Sequence, residues 1–332
     1  MDNPDSRHRR RHEVWTRYWA TGQLHSCAGS FEGNYDGALA GFWAAVLDGL
    51  QPAGRLLDVA SGNGPIPRLL VDRHADAAGR SCEAVDLADV APAWLDAVPA
   101  PWSGRVRFHG GVAAEALPFP EAAFDVVTSQ FGIEYSELER SLPEAVRVLR
   151  AGGRIAAVLH HAGSVSCRLA AAEVAHISWL LAPGGLLDGA LQMAEPLARA
   201  ATPQGRASLM HDAAANAVRD RFNTLQDEID RQVATSACPD VLHETREAVA
   251  TVLRDCGRTP LHEIAARLAG LRRGLEDGSL RLRELLDCAL DEAAIGRLLQ
   301  RLDALGVTAQ AAPLVDQGRL LGWALTGTKR LP

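Results

Sequence analysis

Lysine is almost missing from this sequence: Lys329 is the only one in 332 residues, and every other basic side chain is an arginine or histidine. That skew, together with the abundance of alanine, reads as compositional bias and carries no function. Cysteine is sparse and unpatterned. Cys27, Cys82, Cys167, Cys238, Cys256 and Cys288 include no C-x-x-C pair, so no zinc-ligand spacing is present and no metal site is expected. A reduced, cytoplasmic chain is the corresponding expectation. Long apolar runs are also lacking. The most apolar later stretch, Val174 to Met193, is interrupted by Pro183-Gly184-Gly185 and Asp188, and no membrane span is expected. The residues from Met1 to Ser6 have no apolar h-region of a signal peptide. Positive charge is not in excess. The formal net charge of −7 gives no reason to expect a nucleic acid as principal partner. The local exception, Arg7-His8-Arg9-Arg10-Arg11-His12, has no interleaved aromatics and reads as a solvated, frayed tail. No internal repeat is evident.

What is present is a hydrophobic fraction of 47%, enough for a sizeable core and too high for general disorder. The length exceeds one ordinary core and implies a large domain with an insertion, or two domains. The chain is organised around Arg55-Leu56-Leu57-Asp58-Val59-Ala60-Ser61-Gly62-Asn63-Gly64-Pro65. Leu56, Leu57 and Val59 form the short apolar run of a strand covered on both faces. The strand ends in an acid, turns through two glycines whose backbone a ligand can approach closely, and enters a helix with Pro65 in its first turn. Crevices at such strand ends are where open α/β sheets bind ligands.

Further strands follow in order. Ser81 to Asp86 ends in a second acid, about 20 residues past the glycine turn, the spacing at which an acid meets ribose hydroxyls in nucleotide-binding units. Arg105 to His109, Phe124 to Gln130 and Ile155 to Leu159 alternate or run apolar, the last delivering His160 and His161 to the ligand edge. Leu138 to Leu149 reads as a helix ended by the glycines of Ala151-Gly152-Gly153. Ahead of the core, Glu13 to Ala20 carries a helical aromatic stripe. A glycine-rich loop from Thr21 to Gly37, holding His25, Phe31 and Tyr35, reads as a flap over the site.

From about Ser166 to Asp287 the pattern is helical, with segments at Leu169–Leu181, Arg206–Val233, Val241–Asp255 and Leu261–Arg273. Asp291 is a cap for a last helix, and Val307–Ala311 and Leu320–Thr326 read as a closing strand pair. The expected architecture is α/β: a doubly wound, mostly parallel seven-stranded sheet with a terminal antiparallel hairpin. Residues 1–50 form an N-terminal helical segment and flap, 51–165 the core, 166–290 a helical insertion that caps an acceptor pocket or makes a dimer surface, and 291–332 the last helix and strand pair.

These residues resemble the class I, Rossmann-like, S-adenosylmethionine-dependent methyltransferases. Asp58-Val59-Ala60-Ser61-Gly62-Asn63-Gly64 is similar to their first motif and Val85-Asp86-Leu87 to their second. Ala114 to Pro120 is similar to their adenine-side loop, and Leu149-Arg150-Ala151-Gly152-Gly153-Arg154 to the entry into the fifth strand, with Ala151 where proline is usual. The resemblance covers roughly Gln51 to Gly163 and Asp291 to Lys329. Two residues depart from it. Ala60 stands where the first glycine is usual, a mild change, and Ala113 where many members carry an Asp or Asn for the adenine amino group.

The resemblance implies S-adenosylmethionine as cofactor. Asp58 would help hold its amino group, with Ala60, Gly62, Asn63 and Gly64 along the methionine portion. Asp86 would accept the ribose hydroxyls, Leu87 would pack on the adenine, Ala114 and Glu115 would flank it, and Gln130 would face the sulfonium. The cofactor carries the activation in methyl transfer, so a base is needed only where the acceptor must lose a proton. His160 and His161 are the candidates, with His25 and Tyr35 as substrate-side residues. The implied reaction is methylation of a small, fairly hydrophobic acceptor, on O, N or C. A homodimer is compatible. Two alternatives stay open. A nicotinamide-dependent oxidoreductase is disfavoured by Pro67 at the third position of G-x-G-x-x-G. The other is a non-catalytic protein on the same fold.

Overall fold

Runs of apolar residues that alternate in direction set up a sheet buried on both faces. The strands are β1 (Arg55–Val59), β2 (Ser81–Val85), β3 (Val106–His109), β4 (Phe124–Gln130), β5 (Leu149–Leu159), β6 (Val307–Asp316) and β7 (Arg319–Lys329). The structure is a computed structural model that describes residues 4–26 and 33–332. Cys27 and Phe31 of the early loop lie outside the described residues. The strand order is β3-β2-β1-β4-β5-β7-β6, with β1 to β5 parallel and β7 antiparallel to both β5 and β6. The expected mixed sheet with its terminal hairpin is therefore present.

The helices, in chain order, begin with α1 (Pro4–Trp19), α2 (Gly37–Asp48), α3 (Pro65–Arg73) and α4 (Leu138–Val148). Then come α5 (Val165–Leu180), α6 (Leu186–Ala200), α7 (Pro203–Leu209), α8 (Ala213–Thr235), α9 (Asp240–Arg254), α10 (Leu261–Cys288) and α11 (Glu292–Ala304). Successive strand residues point to opposite faces. Leu57 and Val127 join Leu142 of α4 and Leu302 of α11 on one side. Leu56 and Val126 join Trp43 of α2 and Ile66 of α3 on the other. Each large apolar side chain so buried contributes roughly 1.5–3 kcal/mol.

Chain contacts divide the molecule into two units: residues 1–167 with 287–332, and residues 168–286. The second unit has its own core. Ile177 and Leu180 of α5, Leu242 and Val249 of α9, and Ile264 and Leu268 of α10 are buried together. These side chains of the expected helical insertion are thus used inside this unit. α10 continues past Arg273 through Gly274 and Gly278, because a glycine within a helix costs only about 1 kcal/mol. Pro183-Gly184-Gly185 interrupts the apolar stretch as a turn between α5 and α6, the latter a helix that the periodicity alone does not single out.

Two further features differ from the sequence reading. Ala151-Gly152-Gly153 does not cap α4. Strand β5 already begins at Leu149, and its register against β4 shifts between Phe124 and Val126, so the glycines form a bulge within the sheet. The arginine run is not a frayed tail. It is the first half of α1, which starts at Pro4 and not near Glu13.

Candidate functional site

The carboxyl ends of β1, β2 and β4 open into a cavity of about 480 Å³. The glycine turn builds its floor. Gly64 sits at φ 74° as the N-cap of α3, with Pro65 in the first helical position. A Cβ on Gly64 would lie 2.3 Å from the Phe108 ring, and one on Gly62 would lie 2.4 Å from the Trp19 ring. The close approach at Gly62 is thus made by a tryptophan of α1. Asn63 fastens the end of that helix. Its Nδ2 donates to the carbonyls of Trp19, at 2.9 Å, and Gln23, at 2.7 Å. Ala60 has φ 54°, a left-handed conformation that strains a residue with a Cβ by roughly 1–2 kcal/mol. Alanine in place of the usual glycine is therefore not a mild change. Gly132 backs it, and a Cβ there would meet the Ala60 Cβ at 2.6 Å.

Asp86 closes β2 and lines the cavity. Its Oδ2 accepts the Gly62 N–H at 2.7 Å and its Oδ1 the Ala88 N–H at 2.8 Å. Burial pushes its pKa up to about 6 despite these two donors and the nearby His12. Each oxygen keeps a lone pair for a further donor. Asp58 is placed differently. It is 1% exposed, off the cavity wall, and accepts the Thr128 hydroxyl at 2.8 Å. Burial pushes it up to about 8, with Thr128 opposing and Asp86 adding to the rise.

Gln130 lines the cavity at the end of β4. The indole N–H of Trp43, a donor only, is 2.5 Å from its Oε1 and so fixes which end of the amide is which. Its Nε2 is buried with no hydrogen-bond partner among the described residues. A buried donor on a cavity wall is costly unless a ligand accepts from it.

Of the residues expected in the site, the cavity wall brings together Ala60, Asp86, Leu87, Ala114, Glu115 and Gln130 with His25 and Tyr35. Gly62, Asn63 and Gly64 lie in the turn beneath it. His160 and His161 are not on the wall. His160 is 2% exposed and sits behind two residues of the cavity wall: it stacks on Phe131 at 4.4 Å, and its Nε2 is 3.3 Å from the Tyr135 hydroxyl. Burial pushes its pKa down to about 3, so it is neutral and a poor proton acceptor. His161 stacks on Trp323 at 4.5 Å, and its Nδ1 accepts the Gly163 N–H, a structural pairing at the strand end. His25 bonds the Gly33 carbonyl through Nε2 at 2.9 Å and packs against Tyr35 at 4.5 Å, and burial lowers its pKa.

The opposite wall was missed. His8, Arg11, His12, Trp15 and Trp19 all line the cavity from α1. Their spacing of three and four residues was the available signal, since it places them on one helix face. Arg11 donates to the Tyr135 carbonyl at 2.7 Å, and the Asp89 N–H donates to Thr16 at 3.0 Å, anchoring the helix across the cleft.

The donor and acceptor set fits S-adenosylmethionine. A buried carboxylate with spare lone pairs suits a ribose diol, and an unpartnered amide donor suits a carboxylate. Residues 57–157 match the family model for a methyltransferase domain. A ubiquinone/menaquinone biosynthesis C-methyltransferase of Methylobacterium nodulans is 38% identical over 120 residues, which is 33% of this chain and 45% of that protein. A demethylmenaquinone methyltransferase of Thermus thermophilus is 40% identical over 105 residues, 30% of this chain and 44% of that one. The chain thus spans about half the length of the curated relatives it matches. Among solved structures, geranyl diphosphate C-methyltransferase of Streptomyces coelicolor shares 19% identity with a TM-score of 0.34, covering 45% of this chain and 64% of that one.

Proposed function

We propose that this chain, whose residues 57–157 match the family model for a methyltransferase domain, is a class I, Rossmann-like methyltransferase that transfers a methyl group from S-adenosylmethionine to a small, fairly hydrophobic acceptor. The relatives that act in ubiquinone and menaquinone biosynthesis favour carbon as the methylated atom. One observation carries the reading: Asp86, bonded to the Gly62 N–H, shares a cavity with the unpartnered amide of Gln130.

The bound cofactor supplies an electrophilic methyl group on a cationic sulfur. The chain's residues bind and align. Asp86 accepts from the ribose hydroxyls, and charge assistance strengthens those bonds. Leu87, Ala113 and Ala114 are apolar neighbours for the adenine. With its Oε1 held by Trp43, Gln130 has its Nε2 N–H left to offer, and the carboxylate of the methionine portion would be its acceptor. Asp58 lies behind the floor, its carboxylate held by the Thr128 hydroxyl. Tyr135 is the acceptor-side hydroxyl, and His160 is its positioning residue.

Calorimetry with S-adenosylmethionine and with NAD tests the cofactor, and release of S-adenosylhomocysteine in the presence of small quinone-type acceptors tests the reaction. Binding of S-adenosylmethionine that is lost in Asp86→Ala is the expected result. Binding of NAD instead, or cofactor binding indifferent to Asp86→Ala, overturns it.

A further inference from the structure

We infer that Trp15, Trp19 and Tyr135 form an aromatic cage that reads the positive charge on the cofactor's sulfur; this rests on the cofactor reading above. All three side chains line the cavity. Trp15 and Trp19 are four residues apart on α1, hence on one face, and their rings stack at 5.7 Å with an interplanar angle of 24°. Tyr135 comes from the short 3-10 turn after β4 and stands edge-on to Trp15, at 5.9 Å and 90°. Trp19 lies directly over Gly62, the turn that receives the methionine portion. The rings therefore bound the space between the glycine turn and the Gln130–Gly132 segment.

The rest of the wall leaves the sulfonium few other partners. Gln130 presents a donor, which repels a cation. Asp86 takes one N–H on each oxygen, from Gly62 and Ala88, and gives its remaining lone pairs to the ribose hydroxyls. Glu115 accepts the Glu137 N–H at 2.7 Å on the adenine side, and the Glu137 carboxylate, also on the wall, is paired with Arg140 at 3.6 Å. An aromatic face carries negative potential and attracts a cation within about 6 Å of its centroid. The consequence is discrimination between donor and product. When the S–CH3 bond breaks and the methyl carbon bonds the acceptor, the sulfonium takes the electron pair and becomes a neutral thioether. The cage then loses its charge contact, which favours release of S-adenosylhomocysteine.

The test is the ratio of affinities for S-adenosylmethionine and S-adenosylhomocysteine, measured by calorimetry without turnover. In Trp15→Leu the methylated form should bind roughly three- to twenty-fold more weakly while the demethylated form changes less than about two-fold. Trp15→Phe should restore most of the preference. Biosynthetic incorporation of mono-, di- and trifluorotryptophan keeps ring shape while withdrawing π density, and should lower the ratio stepwise even where Trp15→Leu fails to fold. Equal weakening of both ligands, or a ratio unmoved by fluorination, overturns the cage. Failure of the unaltered protein to bind S-adenosylmethionine at all would instead overturn the cofactor assignment.

Discussion

The two walls of the cavity are built by opposite rules. The sheet wall, from Ala60 through Asp86 to Gln130, is fixed by chain connectivity: each residue ends a parallel strand, and parallel neighbours put those ends side by side. The helix wall is one face of α1, laid across the opening; among the bonds that hold it are those of Asn63 to Trp19 and Gln23, Arg11 to Tyr135, and Asp89 to Thr16. The sheet wall supplies placed hydrogen-bonding groups. The helix wall supplies aromatic and cationic surface. The difference implies that polar recognition is built into the fold, whereas enclosure is added by a separate segment.

Removing the central group of the sheet wall should have the largest effect. Asp86→Ala deletes the ribose acceptor and leaves two backbone N–H groups without their partner, so affinity for S-adenosylmethionine should fall about 100-fold or more, at roughly 1.5–3 kcal/mol per charged hydrogen bond. Calorimetry beside thermal unfolding separates lost binding from lost fold. Loosening the helix wall should do less. Asn63→Ala removes two bonds of about 1 kcal/mol each, and S-adenosylhomocysteine should dissociate on the order of tenfold faster in stopped-flow displacement. An effect equal to that of Asp86→Ala would erase the distinction between the walls.

Acidity probes the buried titratable groups around the sheet wall. Asp58 is pushed up to about 8, Glu134, a buried residue of the turn after β4 that accepts the His160 N–H, to about 7, and Asp86 to about 6, each chiefly by burial. Groups raised above their unfolded values bind more protons when folded, so their contribution is present at low pH and is lost as pH rises through those values. His160, pushed down to about 3, acts in the other direction: its neutral burial costs stability as pH falls below the ordinary histidine range. Melting temperature should therefore decline from about pH 6 to 8, and Asp58→Asn, which keeps an oxygen for Thr128, should flatten that decline. A positively charged ligand favours the ionised carboxylates, so cofactor affinity should rise over the same interval. The smallest expected effect is Ala60→Gly, which relieves the left-handed strain and should stabilise the ligand-free protein by about 1 kcal/mol, visible as a rise of a few degrees in melting temperature.

How much of this was legible follows from the same contrast. The glycine turn, Asp86 and the strand order are local or nearest-neighbour features, and the spacing from Gly62 to Asp86 reflects a βα unit of ordinary length. The bulge at Ala151-Gly152-Gly153 was misread because a glycine pair after a helix and a glycine pair in a strand look alike without the partner strand. His160 and His161 were overvalued because sequence shows that they leave a strand end but not that Phe131 and Trp323 cover them. Arg11 and Trp15 were undervalued because a helix face acquires a function only from what it is laid against. Asp58 marked the motif but not its own depth; Thr128, seventy residues on, determines where its carboxylate points.

Ala60 and Gly132 have a consequence for sequence change. Only about one methyl group fits in the space they share, since a Cβ on residue 132 would lie 2.6 Å from the one on residue 60. Gly132→Ala alone should be strongly destabilising, whereas in an Ala60→Gly background it should cost markedly less, a departure from additivity expected of neighbours in contact. The order of the two steps therefore matters. A lineage that gives up the methyl at position 60 first still meets the residue-60 carbonyl oxygen, at 2.9 Å, on acquiring one at 132, but the reverse order adds the closer clash between the two methyls, so the two positions should drift as a pair.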